Sequence, residues 1–149
     1  KYDEPEVYFG SRGQGRVVYF PWDLDRTFWE VLDKDHRTLL HNAVSWATNE
    51  PPPVTVEGPG MFDVTAWKQK QSMTVHLVNL TNPMAMKGPI REVIPVNARV
   101  GIRIPAGAKV KAVKLLSSGR SVTPKQAGGV ISLDVPAIGI HEVVAVDFA

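Results

Sequence analysis

Cysteine is absent from the 149 residues. That absence removes disulfides, thiolate metal sites and a cysteine nucleophile together, and leaves the redox compartment open. Long apolar runs are missing too. No stretch approaches the ~20 residues that span a bilayer, and no charged-then-apolar leader opens the chain, so it reads as soluble, without a membrane partner. It begins at Lys1 rather than Met, which fits a trimmed or excised product. Length sets a further limit: a (β/α)₈ barrel needs roughly 200 residues or more, so one ordinary domain, or a small domain with an appendage, is what the chain can hold. The formal charge of +2 is unevenly spread, with six Lys/Arg against nine Asp/Glu up to Glu50 and eleven against six beyond it.

The sharpest boundary is Glu50-Pro51-Pro52-Pro53. Three prolines remove backbone donors and fix φ, so neither a helix nor a paired strand runs through, and the domain border is placed there: an α/β segment over 1–50, a β domain over 51–149. In the first part, Gly15 to Phe20 is a short, almost continuously apolar run after a glycine-rich turn at Gly10, Gly13 and Gly15, the pattern of a buried strand in a parallel sheet. Pro21 to Asp25 reads as a loop. A helix follows over about 35–47, with Asp35 as its N-cap and Leu40, Ala43, Val44 and Ala47 forming one face that Leu39 and Trp46 widen. A helix of that length is not stable alone in water, so it must dock, and a sheet is the expected partner.

After the prolines the hydrophobic period changes from 3.6 to 2. Val54 to Glu57 and Met61 to Lys68 are the first strands, parted by Gly58-Pro59-Gly60. Met73, Val75 and Leu77, then Val100, Ile102 and Ile104, then Val110 and Ala112, alternate with polar residues and are expected to face inward. Ile131-Leu133-Val135 and Ile140 to Val146 complete the series, the last apolar on both faces and therefore central or covered. Turns recur about every ten residues, as in an antiparallel β-sandwich. Thr81 to Arg91 reads as a loop.

The string Gly15 to Ala47 carries a resemblance. Its strand Val17 to Phe20, the turn Pro21-Xaa-Asp23, Arg26 with Phe28-Trp29, and the helix from Asp35-His36-Arg37 through Leu39-Leu40, Asn42-Ala43-Val44 and Trp46-Ala47 resemble the closing strand and helix of the amidotransferase-like domain of family 42 β-galactosidases. In that family the domain is a trimerisation domain, and a small C-terminal antiparallel β domain follows it. The resemblance covers about a fifth of the chain. It implies an accessory, assembly role. Enzymes on the amidotransferase-like fold use a Cys/His/Glu triad, and the carboxylates of the galactosidases lie on their barrel, so no catalytic residue transfers to this chain.

The residues themselves offer one site-like cluster, Trp22, Asp23, Asp25, Arg26 and Trp29. Trp22 or Trp29 could stack on a sugar at the rim of a neighbouring subunit's site, with Asp23 and Arg26 bonding hydroxyls. The blander reading makes Phe28 and Trp29 core anchors, while Asp23 and Arg26 hold the post-strand loop by backbone bonds or an ion pair. Trp67 is either a carbohydrate platform or a filler of a core or a domain junction. His36, His41, His76 and His141 show no metal spacing: the first two are five apart, on different helix faces. No Ser/His/Asp motif is present, and the G-x-x-G-x-G string from Gly10 precedes a strand instead of opening a helix, so it is a turn and not a phosphate cradle. Arg99, Arg103, Lys109 and Lys111 alternate with inward aliphatic residues, as on the solvent face of a strand, without the aromatic interleaving of a nucleic-acid surface.

The fold expected is thus mainly β, a C-terminal antiparallel sandwich preceded by a strand-loop-helix segment. The function expected is a non-catalytic C-terminal module of a glycoside hydrolase, with the upstream catalytic domain and further copies of the chain as partners and no cofactor. The alternative is a carbohydrate-binding module using Trp22, Trp29 or Trp67. A self-contained hydrolase lacks the paired carboxylates such chemistry needs.

Overall fold

The computed structural model describes residues 7–31, 33–81 and 92–149, and divides them into two compact units, Lys1–Pro51 and Pro52–Ala149.

In the first unit, β1 (Tyr8–Arg12) and β2 (Gly15–Tyr19) pair antiparallel, with Arg12 opposite Gly15. The two-residue connection is Gly13-Gln14. Gly13 takes φ +62°, which suits the first position of a hairpin turn whose twist matches the strands. This corrects the expectation of a buried strand with parallel neighbours. Val17 and Tyr19 are exposed on one face of β2, and Val18 on the other is half-buried. The apolar run is continuous because each face meets a different environment, not because both are buried.

Helix α1 (Leu24–Val31) occupies residues that read only as a loop and its sequel. Leu24, Phe28 and Val31 have helical spacing, but eight residues are too few for the pattern to stand out. Helix α2 (Lys34–Thr48) begins earlier than expected. Its N-cap is Asp33, whose carboxylate accepts from the N–H of Asp35 (2.7 Å) and of His36 (3.4 Å), while Asp35 sits in the first turn, where its charge complements the helix dipole. Asn49 closes the helix at φ 52° and the prolines prevent its resumption. Val44, assigned to the inward face by its spacing, is exposed.

The second unit is an antiparallel sandwich. Its strands are β3 (Val54–Glu57), β4 (Phe62–Lys68), β5 (Ser72–Asn79), β6 (Val96–Arg103), β7 (Val110–Leu115), β8 (Arg120–Ser121), β9 (Lys125–Ala127), β10 (Val130–Ile138) and β11 (His141–Phe148). One sheet has the order β3-β6-β10-β9 and the other β4-β5-β11-β7-β8. The chain changes sheet repeatedly, so the inward residues of both form one core. Val75, Leu77, Val144 and Val146 from the second sheet meet Val100, Ile102, Ile131 and Val135 from the first, all essentially inaccessible. Each such side chain contributes about 1.5–3 kcal/mol by leaving water. β11 is central, as its two-sided apolarity implied.

In β7 the inward face is carried by Val113 and Leu115, with Ala112 only half-buried, against expectation. The register of β11 against β7 slips between Asp147 and Phe148, so Ala112 faces Asp147 while Val110 faces Phe148. A bulge of this kind shifts the alternation by one residue. The expected Thr81 to Arg91 loop lies, from residue 82 onward, outside the described residues.

Among the described residues of this unit two polar side chains are buried. Asn79 Nδ2 donates to the carbonyls of Ile94 (2.8 Å), Ile138 (3.0 Å) and Gly139 (2.7 Å), and its Oδ1 accepts from Thr81 N–H (2.9 Å). The end of β5 is thereby fixed to the connection between β10 and β11. Glu142, inward on β11, accepts at Oε1 from the N–H of Ser117 (2.8 Å) and Val143 (2.9 Å), and at Oε2 from Ser118 N–H (3.2 Å). Burial pushes this carboxyl up, but the N–H of Val143 and the groups of Ser118 and Ser117 outweigh it, and its pKa lies below the usual carboxylate value.

A third feature is Ala137, at φ 51° where β10 slips against β6, its N–H bonded to Asn97 Oδ1 at 2.9 Å. The left-handed region costs a residue with a Cβ roughly 1–2 kcal/mol. Ala137→Gly should therefore raise stability by about 1 kcal/mol or less once glycine's entropy is set against that relief, measured as the denaturant midpoint at unchanged slope. Because Glu142 has a depressed folded pKa, its contribution is complete above the unfolded value of about 4.3 and is lost as pH falls through the folded one. Glu142→Gln should cost about 1–3 kcal/mol at neutral pH and show a shallower acid-induced loss than the parent; equal pH profiles would mean the carboxylate is not the anchor.

Candidate functional site

Among the described residues three surfaces carry grouped side chains. The first lies in the N-terminal unit, where the hairpin and α2 face each other across a groove of about 250 Å³. Phe9, Val18 and Phe20 line one wall and Leu39, Ala43 and Trp46 the other. Phe9 meets Trp46 edge-on, 5.8 Å between centroids, yet remains 74% exposed. Arg16 packs on Trp46. Its Nη1 donates to the Trp46 carbonyl (3.0 Å) and to Asn49 Oδ1 (3.1 Å), with its guanidinium 5.3 Å from the centroid of the Trp46 ring. Among the described residues of this unit only Leu24 is fully buried, and α2 buries none of its side chains completely. The apolar face exists but is not closed.

The expected cluster falls at the start of α1. Trp22 packs edge-on to Phe20 (6.3 Å) and His36 (5.9 Å). Asp23 contributes its carbonyl, which accepts from Thr27 N–H (2.9 Å) and Oγ1 (2.7 Å). Arg26 pairs with Glu30 at 3.0 Å, a surface ion pair along the helix. Trp29 is 57% exposed and is no core anchor. Trp67 belongs to the other unit, on the edge strand β4, and is 60% exposed, so it fills no core either.

The second surface is the outward face of the five-stranded sheet. There His76 Nδ1 and His141 Nε2 lie 3.2 Å apart, their rings 19° from parallel. Sequence separation hid this pair, which the β5–β11 register brings together as neighbours. Among the described residues no three His, Cys, Asp or Glu converge as metal ligands.

The third is the outward face of the four-stranded sheet. Glu57, Arg99 and Asp134 stand opposite one another on β3, β6 and β10. Arg99 Nε donates to Asp134 Oδ1 at 3.0 Å. That bond, with the charge of Asp134, holds the guanidinium pKa above its usual value. Hollows of about 530 and 360 Å³ flank the pair. Sequence reading had placed Arg99 on a solvent face correctly but had no means to pair it.

No protein-family model and no curated protein matches the chain. A solved structure does: α-L-fucosidase isoenzyme 2 from Paenibacillus thiaminolyticus, with TM-score 0.73 and 20% identity over 95% of this chain. The likeness is one of fold. The chain spans 22% of that enzyme's length, and the similar protein is named a fucosidase, not a β-galactosidase. No helix among the described residues is long and apolar enough to cross a membrane.

Arg16 ties the hairpin to the end of α2. Arg16→Ala should free the carbonyl of Trp46 and the cap residue Asn49, costing roughly 1 kcal/mol, read as faster amide exchange confined to the last turns of α2. Unchanged exchange there would show that the helix end holds without it.

Proposed function

We propose that this chain is a non-catalytic accessory and assembly module of a glycoside hydrolase, whose N-terminal unit docks on the upstream catalytic domain of the same protein. The observation that carries the reading is the open groove. Phe9, Val18, Leu39 and Trp46 make an apolar surface of the kind a free domain does not leave uncovered without use, while the sandwich closes its own core. The fold likeness to about a fifth of an α-L-fucosidase supports the parent class. In this reading, which follows the resemblance carried by the Gly15 to Ala47 string, the module also joins copies of the parent.

A second reading, a carbohydrate-binding module, draws support from the exposed indoles of Trp29 and Trp67. Tryptophan fluorescence distinguishes the two: a saturable change with oligosaccharides, lost in Trp29→Ala or Trp67→Ala, favours binding through the indoles.

For the leading reading, the chain alone should give no turnover of chromogenic glycosides, α-L-fucosides included. Amides of β2 and α2 should exchange far faster than those of β5 and β11, and become protected when the separately produced catalytic domain is added; Val18→Asp with Leu39→Asp should abolish that protection. Turnover abolished by Asp23→Asn would overturn the reading. So would slow exchange in α2 of the isolated chain, whereas protection by a second copy instead would move the interface to self-association.

A further inference from the structure

The outward face of the four-stranded sheet has an arrangement that the docking reading does not use. Adjacent strands in a sheet are about 4.8 Å apart, so Glu57, Arg99 and Asp134, in register on β3, β6 and β10, form a polar row crossing the strands at right angles. The row spans roughly 10 Å over its two strand intervals. Beside it the hollow of about 530 Å³ is walled by Asn97 and Pro136. The hollow of about 360 Å³ lies on the other side of the Arg99–Asp134 pair and carries Thr123, Lys125 and Ser132.

The charges select the ligand class. Two carboxylates, Glu57 and Asp134, stand among three cations, Arg99, Lys125 and the Arg120 that bonds the Pro136 carbonyl, so an anion meets the acidic groups of the row and a free cation meets basic ones. What suits a surface of mixed charge rich in both donors and acceptors is a neutral molecule that offers both on every side. The ion pair uses only Nε of Arg99 and Oδ1 of Asp134, leaving terminal guanidinium nitrogens and a carboxylate oxygen for vicinal hydroxyls. Asn97 spends its Oδ1 on Ala137 N–H and presents its NH₂.

The wall of the larger hollow is built under strain. Pro136 stands where β10 slips against β6, immediately before Ala137 at φ 51°, and the carbonyl of Pro136 also receives Arg120 Nη2 at 3.4 Å. Strained backbone held by side-chain bonds collects at ligand-contacting surfaces. A smooth strand would leave no such wall.

We propose that this face binds a neutral saccharide, lying across β3, β6 and β10 and straddling the Arg99–Asp134 pair. Recognition is by hydrogen bonds from hydroxyls to charged side chains, without an aromatic platform. The site is therefore weak, specific in hydroxyl geometry, and separate from the exposed tryptophans. A pyranose unit and a strand spacing are of similar length, so two linked units engage more of the row than one.

The test is a titration of the full 149-residue chain, ¹⁵N-labelled, with methyl β-D-galactopyranoside, methyl β-D-glucopyranoside, lactose, cellobiose and, as an anion control, sodium sulfate. Saturable millimolar shifts are expected with at least one sugar, at amides of 57–58, 97–99, 132–135 and 137, stronger for a disaccharide than for its monosaccharide. Loss of a hydrogen bond to a charged group corresponds to about tenfold in affinity, so Asp134→Ala and Arg99→Ala should each weaken binding by about that factor, with Trp67→Ala unchanged. Both positions are exposed, and the dispersion of the core amides reports that the variants fold. No saturable shift at these amides with any sugar overturns the proposal, as does the same pattern with sulfate, or binding lost in Trp67→Ala and kept in Asp134→Ala. Failure here leaves the docking reading standing, because that one rests on the other unit.

Discussion

The burial of alternate residues of β5, β6, β10 and β11 against one another is the constraint from which the rest of the sandwich follows. Because side chains alternate strictly along a strand, fixing Val144 and Val146 inward fixes His141, Val143 and Ala145 outward, and the pairing with β5 then fixes Met73, Val75 and Leu77. The same logic in the other sheet turns Arg99 and Asp134 outward together when Val100 and Leu133 turn in. A functional surface on this protein is thus a consequence of core register. It is not an independent addition.

Where the alternation is broken, a polar group has taken over the job of specifying geometry. Glu142 occupies an inward position in the most apolar strand, and its carboxylate is matched by three backbone N–H groups. Asn79 does the same at the end of β5 with four backbone partners. Buried polar groups that are fully matched fix one conformation, because any shift leaves them unpaired at a cost of about 1–3 kcal/mol. Both join segments distant in sequence, so they define how turns sit on the sheets more than how strongly the core coheres.

The N-terminal unit obeys the same chemistry with a different result. A hairpin and two short helices cannot enclose a core of their own, and the side chains that would form one stay accessible. The hairpin is held by its ladder and α2 by its caps and Arg16, leaving the apolar groove as surplus surface. Local structure is complete there while burial is not, a combination that fits an element built to be covered.

Much of this was legible along the chain. The change of period at the prolines and the outward stripe of basic residues come from alternation, and the central place of the last strand from its apolarity on both faces, signals that depend on nearest neighbours alone. Asp33 as a cap and α1 as a helix were missed because short signals compete: two aspartates two residues apart both fit a cap, and eight residues give barely two turns. The antiparallel partner of β2 was missed because an apolar run says that a strand is flanked, not by what. The sequence by itself determined most inward positions of the sandwich strands, since the hydrophobic effect acts on each side chain without regard to partners, but not those of the N-terminal unit, where Val17 and Val44 stay exposed. Only tertiary structure decided which residues meet, His76 with His141, Asp134 with Arg99, Glu142 with Ser117. Register and chain crossing set those distances, and both are settled by the packing of the whole core.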